Sequence, residues 1–197
     1  TTYTEVDPDN RVAITSNQVN FSGVNFRGNP DTQVYKDMGV NHFDRDFEHT
    51  LTFNISSLQT YATVGVWMLA NTIGNYTAIS SGGGDSLDLE FYQGDGGIVQ
   101  IHIRETLKGI GMGGYVWTGA SIGTTYYIKV KRDESVGNYG SLFGYIYSDE
   151  SRTNLLKTLQ FDLHQKVDFR YNYALNTLNT GEFYRASGFV KDLSLHQ

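Results

Sequence analysis

No cysteine occurs among the 197 residues, which excludes disulfides, thiolate metal sites and cysteine nucleophiles together. Prolines number only 2, Pro8 and Pro30, and both fall outside the segments that read as strands, as a hydrogen-bonded ladder requires. Charge is sparse: 18% of residues are Asp, Glu, Lys or Arg, and 15 scattered basic residues against 21 acidic ones leave a formal charge of −6. With a pI near 5.2, that balance excludes the clustered cations of a phosphate-backbone partner, so no nucleic acid is expected. No run approaches the roughly 18 apolar residues of a membrane span, and the N-terminus has no basic-then-apolar leader pattern, so no membrane partner is expected. Helical periodicity is absent over any useful length, and a start at Thr1 without Met is compatible with a chain processed or excised from something longer.

What is present is a period of two. In the run from Asp46 to Ile55, Phe47, His49, Leu51, Phe53 and Ile55 fall on one side and Asp46, Glu48, Thr50, Thr52 and Asn54 on the other, the pattern of a strand with one dry and one wet face. Similar strand candidates cover 11–15, 18–22, 63–70, 76–80, 87–92, 99–104, 126–132, 142–147, 167–175 and 188–195. Ser16-Asn17 and Gly94-Asp95-Gly96-Gly97 supply the residues tight hairpins need, while 80–84 and 109–114 read as glycine-rich loops. Hydrophobic residues at 39%, with 14 Tyr and 11 Phe, suffice for one extended core. The expectation is an all-β, two-sheet antiparallel sandwich as a single domain over 11–197, with 1–10 as a polar tail or linker. Asn20, Asn54 and Asn75 begin Asn-x-Ser/Thr sequons, read as chance occurrences in an Asn/Thr-rich chain without disulfides.

Several segments carry a resemblance: 34–43, Asp46-Phe47-Glu48-His49, 125–132, Ile146-Tyr147-Ser148-Asp149 with 152–156, Phe169-Arg170-Tyr171 and Ser187-Gly188-Phe189-Val190. Together they resemble the concanavalin A-like lectin and glucanase superfamily, in particular the laminin-G-like jelly rolls found as modules of bacterial and phage proteins. The resemblance implies two antiparallel sheets of six or so strands each, with sugars bound on the concave one. It also implies calcium as a frequent brace of the loops.

Function must be read from sites, because this superfamily hosts binding modules and enzymes alike. Its laminarinase-like hydrolases carry Glu-x-Asp-x-Glu on one strand, which sets a nucleophile and an acid on one face about 5 Å apart. The nearest match is Ser86-Leu87-Asp88-Leu89-Glu90, where Ser86 stands at the nucleophile position and breaks the pair. Asp88, Glu90 and Tyr92 then read as a solvated strand face. No Gly-x-Ser-x-Gly elbow exists, and His42, His49, His102, His164 and His196 show no metal spacing; His49 reads as a core or edge histidine.

Sugar recognition needs aromatic platforms beside planar polar groups. Trp117 and Tyr115, on a glycine-rich loop, are the candidate platforms, and Trp67 reads as core. With Asp88, Glu90, Tyr92 and Arg104 they form the candidate carbohydrate site, while Tyr126, Tyr145, Tyr147, Tyr171 and Tyr173 read as largely structural, with Arg132 and Arg170 near strand ends. Asp37, Asn41, Asp44 and Asp46 offer the oxygen ligands calcium takes. The sequence-based expectation is a carbohydrate-binding or adhesion module without catalysis, extracellular or on a virion surface, with a glycan or polysaccharide as partner. The alternatives are a structural virion module contacting its own copies or a scaffold protein, and a divergent glycan hydrolase or lyase resting on Asp88 and Glu90.

Overall fold

The computed structural model describes residues 3–26, 32–177 and 184–196; Thr1, Thr2 and Pro30 lie outside them. Among the described residues the chain forms β1 (Thr4–Val6), β2 (Val12–Ile14), β3 (Gln18–Phe26), β4 (Gln33–Asp37), β5 (Phe47–Leu58) and β6 (Thr63–Ala70), then α1 (Tyr76–Ser81). β7 (Ser86–Gln93), β8 (Val99–Leu107), β9 (Ile110–Trp117), β10 (Thr125–Asp133), β11 (Ser141–Tyr147), β12 (Leu155–Asp162), β13 (Tyr171–Asn176) and β14 (Tyr184–His196) follow. They build two antiparallel 7-stranded sheets, one ordered β1-β4-β13-β6-β7-β8-β9 and the other β12-β11-β10-β5-β14-β3-β2. The first is sheet A and the second sheet B.

Alternation decides which side of each strand is dry. Leu51, Phe53, Ile55, Ile128, Val130, Leu142 and Ile146 of sheet B join Val64, Trp67, Leu69, Leu87, Leu89, Phe91, Ile101 and Ile103 of sheet A in one buried cluster. Each such side chain contributes roughly 2 kcal/mol by leaving water. Phe53 meets Phe91 edge-on across the layers at 5.7 Å. The Trp67 indole N–H donates to His49 Nδ1 at 2.8 Å, so a tryptophan and a histidine on facing sheets satisfy each other inside the core.

Several segments differ from the sequence pattern: β4 and β12 lie outside the strand candidates, 167–170 precedes β13 rather than belonging to it, and three more differ in kind. The run 76–80, which alternates like a strand, is helix α1: the Asn75 side chain accepts from the Ala78 N–H at 2.6 Å and the Gly82 N–H closes the last turn onto Ala78 O at 2.9 Å. Capping at both ends overrides a pattern carried by Thr77 and Ile79 alone. Thr4–Val6, within the stretch expected to be a tail, pairs with β4 as an edge strand of sheet A. The glycine-rich stretch 110–117 is not a loop but edge strand β9, exposed along most of its length and paired with β8.

Candidate functional site

The face of sheet A turned away from the core can be read across the strands by register. One row runs Tyr35, Tyr173, Met68, Asp88, Arg104 and Gly114, the next Gln33, Asn176, Gly65, Glu90, His102 and Val116, and the last Thr63, Tyr92 and Gln100. Helix α1 lies over one end of this face. Its Ile79 packs with Met68, Ala70 and Tyr173, and Tyr35, Tyr76 and Tyr171 close around them. The rows of Glu90 and Tyr92 are open only toward β8 and β9: Gln33, Asn176, Thr63 and Glu90 are buried, His102, Gln100, Tyr92 and Arg104 are half-buried, and Val116 is exposed.

The alternation predicts a solvated face for Asp88 and Glu90, and the structure overturns that: they are 1% and 4% exposed. Buried carboxylates need partners, and both bind Arg104, whose Nε sits 3.2 Å from Asp88 Oδ1 while Nη2 donates to Glu90 Oε1. The guanidinium also lies 5.2 Å from the centre of the Tyr76 ring, which caps it from α1. Glycine at 114 lets β9 lie close against this strand, since a Cβ there would stand 2.3 Å from Ile103 O and 2.9 Å from Arg104 Cγ. Burial raises the Asp88 pKa against the lowering pull of Arg104. On Arg104 burial pulls the other way but Asp88 and Glu90 outweigh it, so its pKa is raised and it stays a cation. A void of about 10 Å³ beneath Tyr76, lined also by Thr63, Met68 and Asn176, has room for one water.

His102 lies across the ladder from Glu90. Its Nε2 is 2.7 Å from Gln100 Oε1; since that oxygen only accepts, Nε2 carries the hydrogen and Nδ1 keeps a lone pair. Burial, followed by the Arg104 charge, lowers the His102 pKa to about 4, so the ring is neutral near pH 7. Tyr92 packs beside it at 5.6 Å between ring centres. The site thus combines an amide, a neutral imidazole, a phenol ring and a carboxylate–guanidinium pair on one face.

Four of the six expected carbohydrate residues, Asp88, Glu90, Tyr92 and Arg104, come together here. Trp117 and Tyr115 do not. They pair with Ile101 and Ile103 and so point to the other side of sheet A. Trp117 packs edge-on against Tyr126 at 5.9 Å, and the Tyr115 ring takes the Lys157 ammonium at 5.6 Å. Arg132 is fully buried and donates to the Phe43 and Val167 carbonyls, a brace rather than a ligand. Gln100, His102 and Tyr76 were missed. The alternation of Gln100, His102 and Arg104 on one strand was a readable signal, whereas Tyr76 reaches the site only through the helix.

The expected calcium ligands are not gathered. Asp37 takes the Arg170 fork at 2.8 and 2.6 Å, the Asn41 N–H donates to Asp168 at 2.8 Å, Asp44 pairs with Arg45, and Asp46 accepts from the Glu134 N–H at 2.7 Å. Among the described residues no group of three or more His, Asp or Glu side chains is placed to hold a metal ion. A larger cavity of about 290 Å³ opens by the β2–β3 hairpin, but its charged lining residues, Lys191 and Asp192, pair with each other at 3.3 Å.

No family model matches the chain, and no curated protein matches it in sequence. Solved structures do match in shape. A variant of the alginate lyase Aly36B in complex with alginate trisaccharide aligns with TM-score 0.62 at 12% identity, over 99% of this chain and 87% of that one. A legume lectin-like domain from Entamoeba histolytica aligns with TM-score 0.58 at 15% identity, over 100% and 90%. The VIP36 exoplasmic/lumenal domain in its Ca2+/Man3GlcNAc-bound form aligns with TM-score 0.54 at 10% identity, over 99% and 82%. The fold is a concanavalin A-like jelly roll. These similarities also correct the expectation of a chain without catalysis. Alginate lyases share the architecture, among them one from Alteromonas sp. 272 with TM-score 0.57 at 9% identity, so a broken Glu-x-Asp-x-Glu set is no ground for excluding an enzyme from this jelly roll.

Proposed function

We propose that the open end of sheet A's outer face recognises a polysaccharide, and that the sugar is a neutral one. The observation carrying this reading is the meeting of the half-buried Tyr92 ring, the Gln100–His102 pair and Arg104, itself paired with the buried Glu90, on one partly open surface. A sugar's C–H face stacks on a ring, and its hydroxyls need donors and acceptors fixed in place, which the amide, the imidazole lone pair and the ion pair supply. Charge supports a neutral ligand. Arg104 is already shared between two carboxylates, and the protein carries −6, so a uronate finds no uncommitted guanidinium here among the described residues. The test is binding of mannan, β-glucan, xylan and alginate, with Tyr92→Ala and Gln100→Ala each expected to weaken the neutral complex about ten-fold. Equal binding by both variants and the parent protein would sink this reading.

His102 favours a second reading. An imidazole whose Nε2–H is held by Gln100 keeps its Nδ1 lone pair for a general base, which on a uronate takes the proton α to the carboxylate while the β C–O bond breaks, the departing oxygen takes a proton from water and a C=C double bond forms. Unsaturated product released from alginate, and lost in His102→Gln, would establish it in place of the first.

A further inference from the structure

Tyr61, in the turn between β5 and β6, holds a left-handed backbone at φ 69°. Such a conformation is costly for a bulky residue, of order 1 kcal/mol or more, and is normally given to Gly or Asn. Core packing does not explain it, because the side chain is 37% exposed. The ring is nonetheless held. Its hydroxyl donates to Asp95 Oδ1 in the turn between β7 and β8, its backbone N–H donates to Gln93 O at 2.7 Å, and the Tyr184 ring meets it edge-on at 6.0 Å. Gln93 follows Tyr92, and Gly94 next in line grazes the Tyr92 ring, where a Cβ would stand 3.1 Å from it. Thr63, two residues after Tyr61, pairs across the ladder with Tyr92, so the tethered turn adjoins the Tyr92 row.

A strained, exposed and tethered ring beside the Tyr92 row is a platform fixed before any ligand arrives. We propose that Tyr61, oriented by Asp95, is a second stacking platform, taking a sugar further along the same polysaccharide chain than the one held over Tyr92. This rests on the glycan-recognition reading. The platform's occupant is a sugar ring's C–H face, with the Asp95 carboxylate accepting from a hydroxyl of the same unit.

The experiment uses Tyr61→Asn, which suits the left-handed backbone and removes the ring, with mannan, β-glucan and alginate as probes, each as polymer and as trisaccharide. Binding of the polymer is expected to weaken about ten-fold, with a smaller loss for the trisaccharide and a melting midpoint equal to or above that of the parent protein. Asp95→Asn, which loosens the tether, is expected to give a smaller loss of the same kind. Unchanged polymer binding by Tyr61→Asn while Tyr92→Ala loses it would overturn this platform and leave the main site standing. A lower melting midpoint with unchanged binding would mark the ring as a packing element and overturn it too. Failure of the parent protein to bind any of the probes would overturn both.

Discussion

At the scale of single residues the site is governed by how charge is buried. Arg104 holds two carboxylates that are almost out of water, so its removal strands them; Arg104→Met is expected to destabilise the fold by about 3 kcal/mol, the low end for a broken buried pair because the arginine itself is about a third exposed. Urea unfolding measures this, and adding Asp88→Asn and Glu90→Gln to that variant is expected to recover most of the loss. His102 gives a pH dependence of definite sign. Its folded pKa falls from the ordinary 6.5 to about 4, so the folded state binds this proton less readily than the unfolded chain. Its contribution is therefore complete above pH 6.5 and is lost as pH falls toward 4. Asp88, whose pKa is raised by burial, acts with the opposite sign, its contribution fading as pH rises through its folded value. Melting midpoints across that acid range are expected to fall less steeply in His102→Gln than in the parent protein, and parallel curves would refute the assignment. None of this was legible in the alternation, which marked Asp88 and Glu90 as facing away from the core but not that a helix covers that side.

At the scale of elements, α1 is the piece that turns a wet sheet face into a site. It is short, with Ile79 its only buried residue, so its ends matter more than its propensity. Asn75→Ala removes the cap and is expected to cost about 1 kcal/mol in a denaturant titration. The same change should weaken glycan binding, because Tyr76 would no longer be held over Arg104. Asn75 also heads a sequon, and at 8% exposed, with its side chain engaged at the helix N-terminus, it is a poor acceptor for a glycan, in agreement with reading the sequon as chance. Strand β9 teaches the converse of α1. Its glycines suggest a loop, yet the β8 backbone imposes pairing on it, and register then fixes Tyr115 and Trp117 on the side away from the site. A one-residue parity choice of that kind cannot be read from a strand in isolation.

At the scale of the whole molecule, sheet B is held at its centre by the close approach of β14 to β5. Gly188 makes that possible: a Cβ there would lie 2.1 Å from Asn54 O and 3.0 Å from Ile55 Cα. Gly188→Ala is expected to destabilise by about 3 kcal/mol, seen as a lower urea midpoint, because backbone rather than a movable side chain stands in the way. Unaltered stability would mean that the two strands can part without harm to the core behind them.

The chain by itself determined the architecture, since alternation of apolar and polar residues is a local property and most strands needed no knowledge of their neighbours. It also determined several inner residues, Trp67 and His49 among them, and the common face of Asp88, Glu90, Tyr92 and Arg104. Only the tertiary structure decided which rows meet, that α1 rather than a strand follows β6, that Asp37, Asn41, Asp44 and Asp46 bind separate partners, and that Tyr61 is tied to Gln93 and Asp95. The reason is physical: facing is set by neighbours two positions apart, whereas register, burial of charge and strain in a turn are set by groups tens of residues away in sequence, brought together only when the two sheets close on one core.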